Sequence, residues 1–345
     1  MAGARPAPTI TDVAKRVGVS IASVSLVLND PDTPRVSAAK RRQILKTASH
    51  LGYQPNLLAQ GLLRRGTRIV GLSVPMRDPF FFNLFIAEVL GGIQTCLREH
   101  GYYLIVDTHS AARGKMTRSQ IMQSKGLDGV LFINTRLCSR ADMNGTIRNL
   151  RSEQIPFVML TSYYGDDEIN YVGVDDGEIG RVAGHYLCAK GHRRIALLGG
   201  SRTSPASVPL ARGFREGLSC SSVSLAPECV IYGEYERERV RGALLRWLRS
   251  KRSPTAIFCA SDQMVPDVYE LLRERRVRIP EDVAILGRGD LMFAPFLYPP
   301  LTTIRVPAAE IGHRGAELLV NALHKPSLSP RRVYLPCRLV ERGSV

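Results

Sequence analysis

The apolar positions of the chain follow two rhythms, and one gives way to the other near residue 69. Before that point the spacing is helical. Val13, Ala14 and Val17 recur at three and four residues, one face of a short helix over 12–17 with Thr11 as its cap. Asp12 in its first turn suits the positive end of the helix dipole. Gly18 then permits a turn, Val19 plugs the angle, and Ser20 caps a second helix over 21–28. That helix turns Val24, Val27 and Leu28 inward and leaves Ile21, Ala22, Ser25 and Leu26 outward. A third helix follows the cap Ser37, buries Ile44, Ala48 and Leu51, and stops at Gly52. Next, 56–63 has Asn56 as a cap but Gly61 inside, so alone it is a poor helix, and 64–68 reads as a linker.

From residue 69 onward short apolar runs alternate with helical stretches. The pattern predicts strands over 69–74, 103–106, 129–133, 156–160, 194–198, 255–259 and 283–286. Helices between them include 87–100, closed by Gly101, and 178–190, closed by Gly191. Such alternation implies parallel sheets covered on both faces, with ligands at the carboxyl ends of the strands. The fold class expected is an all-α helix-turn-helix head on an α/β body of two parallel-sheet lobes.

Charge sharpens this picture. The 345 residues carry a formal +16, from 47 basic and 31 acidic side chains. Eleven of the basic but only three of the acidic residues lie in the first 68, so a fifth of the chain holds half of the excess. Two helices joined by a glycine turn form the unit whose second helix enters the DNA major groove, and a basic head fits that partner. Lys15, Arg16, Lys40, Arg41, Arg42 and Lys46 are its phosphate-facing candidates. A composition 44% hydrophobic and 23% charged excludes a disordered chain, and no apolar run nears the roughly 20 residues that span a bilayer. With no signal-peptide pattern at the start, a cytoplasmic protein without membrane contact is expected. The seven cysteines occur singly and read as small hydrophobes. His185 and His192 have no Cys ligands nearby, and no nucleophile elbow, phosphate loop or His-Glu-x-x-His exists. No metal, cofactor or enzymatic activity is therefore expected.

Thr9-Ile10-Thr11-Asp12-Val13-Ala14-Lys15-Arg16-Val17-Gly18-Val19-Ser20, then Val24-Ser25, Val27-Leu28-Asn29 and Leu51-Gly52-Tyr53-x-Pro55-Asn56, resemble the signature of the lactose-repressor-like (LacI/GalR) family of bacterial transcriptional regulators. Further landmarks such as Tyr171–Asp175, Ala260–Met264 and Pro299–Ile304 extend the resemblance over the chain. It implies a flexible N-terminus over 1–8, a DNA-binding domain over 9–55, a hinge helix and linker over 56–68, and a two-lobed effector-binding and dimerisation body over 69–345. Lobe 1 would comprise about 69–167 and 302–326, lobe 2 about 170–298 and 331–341, with crossings near 166–171, 298–303 and 325–332. The DNA-contacting set implied is Thr11, Lys15, Arg16, Ser20, Ile21, Ala22, Ser23, Ser25, Leu26, Asn29, Tyr53 and Asn56. Leu62 would be the hinge wedge that opens a minor-groove step, and Ala59 the small residue that lets paired hinges approach. Leu26 stands where the family usually has Arg, which removes a guanine-reading side chain.

The effector cleft implied by the resemblance comprises Pro79, Phe80, Phe81, Thr161, Leu210, Arg212, Ser261, Asp262, Arg288, Gly289 and Asp290. Thr161, Leu210, Ser261 and Gly289 replace polar or charged family residues, and Val306 replaces another. A hexose needs a partner for each buried hydroxyl, so the expected effector is not an ordinary hexose. Arg212 and Arg288 leave room for an anionic ligand, and a degenerate cleft without effector is the alternative. A dimeric repressor on double-stranded operator DNA is the leading expectation. A solute-binding protein is the runner-up, disfavoured by the head.

Overall fold

A computed structural model describes residues 8–53, 66–74, 83–107, 126–134, 140–161, 168–325 and 329–345. The chain divides into two compact units, Met1–Thr67 and Arg68–Val345.

In the first unit lie α1 (Ile10–Val17), α2 (Ile21–Asn29) and α3 (Ala38–Leu51). Thr9, not Thr11, precedes α1. Its backbone N–H and hydroxyl donate to Asp12 Oδ2 at 2.8 and 2.7 Å. Asp12 thus reaches back over the first turn, which starts the helix two residues earlier than the apolar spacing implies. The Thr9 hydroxyl also holds the Asp12 carboxyl below its ordinary range. Ser20 caps α2 as expected, accepting the Ser23 N–H at 3.1 Å. Gly18 and Gly52 close α1 and α3 at φ of 72° and 66°, where a side chain would be strained. Val13, Ala14, Val17, Val24, Val27, Ile44 and Ala48 form the core.

The second unit holds two six-stranded sheets. The first contains β1 (Ile69–Ser73), β2 (Tyr103–Asp107), β3 (Gly129–Ile133), β4 (Phe157–Thr161), β5 (Asn170–Gly173) and β11 (Arg332–Tyr334), in the order β11-β5-β4-β3-β1-β2. The second contains β6 (Ile195–Gly199), β7 (Val230–Tyr232), β8 (Ala256–Cys259), β9 (Ala284–Gly289), β10 (Thr302–Arg305) and β12 (Arg338–Val340), in the order β12-β10-β9-β8-β6-β7. Every pairing is parallel except β10 with β12. Strands such as β3 and β6 are buried throughout, the continuous apolar runs that doubly covered parallel strands require. Helices α4 (Leu84–Glu99), α5 (Arg140–Ser152) and α10 (Ala308–His324) belong with the first sheet. Helices α6 (Asp176–Ala189), α7 (Ser207–Ser219), α8 (Arg237–Leu248) and α9 (Val265–Glu274) belong with the second.

The crossings fall later than the sequence boundaries imply. β5 pairs with β4, and Tyr171 OH donates to the Thr161 carbonyl at 2.5 Å, so 170–173 complete lobe 1 before the chain leaves it. β10 pairs with β9 and β12, so 302–305 belong to lobe 2 and only α10 returns to lobe 1. β11 pairs with β5, which puts the third crossing between 334 and 338. Each boundary slips by one strand because edge pairing is a long-range choice that local patterning does not encode.

Each lobe packs one helix pair through glycine. A Cβ at Gly213 on α7 would lie 1.9 Å from the Gly177 carbonyl of α6, and one at Gly312 on α10 would lie 1.9 Å from the Val89 carbonyl of α4. Gly213→Ala is therefore expected to lower stability by about 1–3 kcal/mol through overpacking, read as the urea midpoint. Gly242→Ala on α8, where nothing lies within 4 Å of the new methyl, should instead raise stability by about 0.5–1 kcal/mol.

Candidate nucleic-acid interface and ligand cleft

The cap at Ser20 fixes the start of α2, and burial of Val24 and Val27 fixes which side faces out. Ile21, 48% exposed, and Ala22 stand on the open side, with Ser23, Ser25, Leu26 and Asn29 half-buried beside them. Asn29 Nδ2 donates to Ser25 Oγ at 3.3 Å, and the Ser20 and Ser23 hydroxyls meet at 2.9 Å. This is a small, mostly apolar reading surface. Lys15 and Arg16 on α1 and Arg42 and Lys46 on α3 are exposed, while Thr11 is half-buried. Tyr53 packs against the head core. Asn56, Ala59 and Leu62 lie outside the described residues.

Two bases expected to face phosphate do something else. Arg41 Nη1 donates to the carbonyls of Thr33 and Val36 at 2.7 and 3.0 Å, tying the connection between α2 and α3 to α3. Lys40 Nζ donates to the Val17 carbonyl at 3.4 Å, at the negative end of α1.

In the body the carboxyl ends of the first sheet bring together Ser73 on β1, Asn134 just after β3, and Thr161 on β4. All three are buried. Among the described residues, Ser73 Oγ and both polar atoms of the Asn134 amide have no hydrogen-bond partner. The sequence reading missed Ser73 and Asn134. A polar residue ending an apolar parallel strand was the available signal. Pro79, Phe80 and Phe81 lie outside the described residues.

The second sheet's ends are occupied differently. Asp262 is fully buried and accepts the Asp290 and Leu291 N–H groups at 2.7 and 3.1 Å and the Thr303 hydroxyl at 2.9 Å. Burial pushes its carboxyl above the ordinary range, and those donors pull the other way. Asp290 takes Arg305 Nε at 2.6 Å and Arg342 Nη2 at 2.7 Å. Both carboxylates therefore organise the lobe and leave little acceptor capacity for a ligand. Ser261 caps the short turn after β8, accepting from the Gln263 N–H at 3.3 Å. Arg288 pairs with the buried Asp176 at 2.6 Å, and its Nε is buried without a partner among the described residues. Gly289 is buried at φ 140°. Two expectations fail here. Leu210 is 3% exposed within the core, because the α6–α7 packing turns it inward. The Arg212 side chain is 71% exposed on the outer face of α7, beside Glu216.

The lobes touch across the cleft. Gln263 Nε2 donates at 2.8 Å to Asn83 Oδ1, which also accepts the Ile86 N–H at the start of α4. Glu88 on α4 faces Asp290 and Arg305; burial first, then Asp290, raises its carboxyl above the ordinary range. Among the described residues no group of three His, Cys, Asp or Glu could hold a metal, and no helix is long and apolar enough to cross a membrane.

A capped helix-turn-helix with a two-lobed body, its buried polar groups open at the strand ends, defines a ligand-responsive DNA-binding regulator. The model for bacterial regulatory proteins of the lacI family matches residues 9–56, and that for a periplasmic binding protein-like domain matches 185–345. The chain is 30% identical to the HTH-type transcriptional repressor CytR of Escherichia coli K12, over 98% of this chain and 96% of that protein. It is 29% identical to the ribose operon repressor of the same strain, over 97% and 99%. Among solved structures, a complex of the transcriptional regulator CelR with cellobiose matches at 29% identity and TM-score 0.73, covering 98% of this chain and 100% of that one. The lac repressor dimer bound to operator and the anti-inducer ONPF shares the fold at TM-score 0.85 and 21% identity, covering 98% of each chain. The chain belongs to the LacI family of DNA-binding transcriptional repressors.

If Arg41 braces the head, Arg41→Gln should weaken duplex binding without changing its salt dependence. Arg42→Gln, by contrast, should flatten the log–log salt slope by about 0.9, as loss of one phosphate contact does. Fluorescence anisotropy over a salt series measures both.

Proposed function

We propose that this protein is a homodimeric, cytoplasmic repressor whose hold on operator DNA is set by a small molecule between the lobes of its body. α2 reads the major groove with Ile21, Ala22, Ser25 and Leu26, while Lys15, Arg16, Arg42 and Lys46 engage phosphates. With little hydrogen-bonding capacity on that surface, specificity leans on thymine methyl contacts and DNA shape. Leu62 and Ala59 of the hinge take the roles the family resemblance gives them.

The observation that carries the ligand is Asn134. A buried side chain with no hydrogen-bond partner costs about 1–3 kcal/mol, so its amide and the Ser73 hydroxyl favour a cleft that receives something polar over a degenerate one. With Asp262 and Asp290 engaged and Arg288 short of one acceptor, the effector is a neutral or anionic molecule with few hydroxyls rather than a free hexose. Cellobiose in the CelR complex marks the competing class. Isothermal titration against hexoses, pentoses, nucleosides and sugar phosphates decides; micromolar binding of a common hexose would refute the reading. Asn134→Leu should abolish the titration signal of whichever compound binds, while operator affinity without ligand stays unchanged.

Dimerisation follows from the need to read a two-fold site and from an uncovered apolar surface. Met292, Phe296 and Tyr298, 68%, 84% and 96% exposed, share one turn of lobe 2, and Tyr103 and Ile105 lie exposed on the edge strand β2 of lobe 1. Phe296→Asp with Tyr298→Asp is expected to give monomers by sedimentation and a large loss of operator affinity. A variant that stays dimeric would count against this surface.

A further inference from the structure

The edge of lobe 2 opposite the cleft is basic beyond what helix capping requires. In a parallel sheet all helix-to-strand turns gather at the amino ends of the strands. Here β6, β8 and β9 lie side by side, so three such turns adjoin. The turn after α6 carries Arg193 and Arg194, the turn after α8 carries Arg249, Lys251 and Arg252, and the turn after α9 carries Arg275 and Arg276, all exposed. Arg194 Nε donates to the Ser253 carbonyl at 2.9 Å, which binds the first turn to the second. Lys190 and Arg278 at this edge have carboxylate partners, Glu341 and Asp282; none of those seven side chains pairs with a carboxylate among the described residues. A cation in the last turn of a helix answers its dipole, but Lys251, Arg252 and Arg276 lie beyond the last turn. In lobe 1 the turn from α10 to β11 carries only Lys325 and Arg331, and two other turns set a contrast. After α4 come His100 and Gly101, and after α5 come Glu153 and Gln154, without any Lys or Arg.

We propose that this rim is a second, sequence-independent site for the phosphate backbone of double-stranded DNA. Six of its seven cations are arginines, the side chain whose planar fork fits phosphate oxygens. Among the described residues, none of the exposed large apolar side chains lies on the rim. A protein partner needs an apolar or aromatic anchor, whereas phosphate recognition does not. The rim lets a repressor hold a second duplex in addition to the one its head engages.

The test uses the full chain with four of the head's exposed cations removed (Lys15→Gln, Arg16→Gln, Arg42→Gln, Lys46→Gln) and a short random-sequence duplex followed by anisotropy. Residual binding is expected with a log–log salt slope near −3, about 0.9 for each phosphate engaged. Adding Arg249→Gln, Lys251→Gln, Arg252→Gln, Arg275→Gln and Arg276→Gln should weaken it roughly tenfold or more at about 50 mM salt. Circular dichroism and the urea midpoint confirm that the variants fold. No residual binding, or residual binding unmoved by the rim substitutions, overturns the proposal, as does retention of an oligoglutamate probe in preference to the duplex. Operator recognition by the intact head is not an input to any of these readouts, so the two readings fail separately.

Discussion

Three crossings of the chain between the lobes constrain everything the body can do. They lie at 174–175, 306–307 and 335–337, and each is followed at once by an element that completes the other lobe. Val174, Val306 and Leu335 are buried in one apolar cluster that runs from the first sheet to the second. The lobes therefore cannot separate without exposing that core, and the motion left to them is rotation about a short, dry strap. Charged pairs of lobe 2 lie next to these crossings in the chain: Arg288 with Asp176, and Asp290 with Arg305 and Arg342. Both sets of partners belong to lobe 2, and removing one partner of the more buried pair, Arg288 with Asp176, is expected to cost about 3–5 kcal/mol of that lobe's stability. The C-terminal segment closes lobe 2. Ser344 Oγ donates to the Ile285 carbonyl at 2.6 Å and accepts the Thr302 N–H at 2.8 Å, stitching the end of the chain across β9 and β10.

The head obeys a different economy. Its core has seven small or branched side chains, too few to hold three helices rigidly by burial alone. Caps and cations supply the rest: Asp12 on Thr9, Ser20 on Ser23, Lys40 on Val17, and Arg41 on the connection before α3. Positive charge in such a domain is thus of two kinds. Net charge counts both, and only geometry separates a guanidinium that closes a loop from one that meets a phosphate.

That distinction marks how far the sequence could be read. The head helices, strands β1–β4, β6, β8 and β9, and the Ser20 cap were legible because each depends on neighbours within a few residues, whereas the strands β5, β7, β10, β11 and β12 were not read. Leu210 was misplaced because its direction is set by Gly180 and Gly213 on facing helices, a close approach that no local period announces. Asp262 read as a cleft residue and proved to be a buried anchor, because its donors come from residues 28 to 41 positions away. Asn134 went unnoticed for the opposite reason. Its amide has no hydrogen-bond partner among the described residues, and an unpartnered side chain leaves no pattern around it.

Magnitudes connect the cleft to DNA. Allosteric coupling between two sites is typically 1–3 kcal/mol, roughly 5- to 150-fold in affinity. The hydrogen bond from Gln263 to Asn83 crosses the cleft and is half-buried, which makes it worth about 0.5–1.5 kcal/mol. Glu88 acts in the opposite sense, since its half-buried carboxyl faces Asp290 across the same gap. On the function proposed above, a contact of that size is of the same order as typical coupling, and a ligand that satisfied Asn134 and Ser73 in one lobe arrangement and not in another would shift the balance. A stiffer hinge would need a ligand of greater differential affinity than a small molecule with few hydroxyls can supply. On that same reading, the weakness of the contact across the cleft is what would make so sparse a ligand site sufficient.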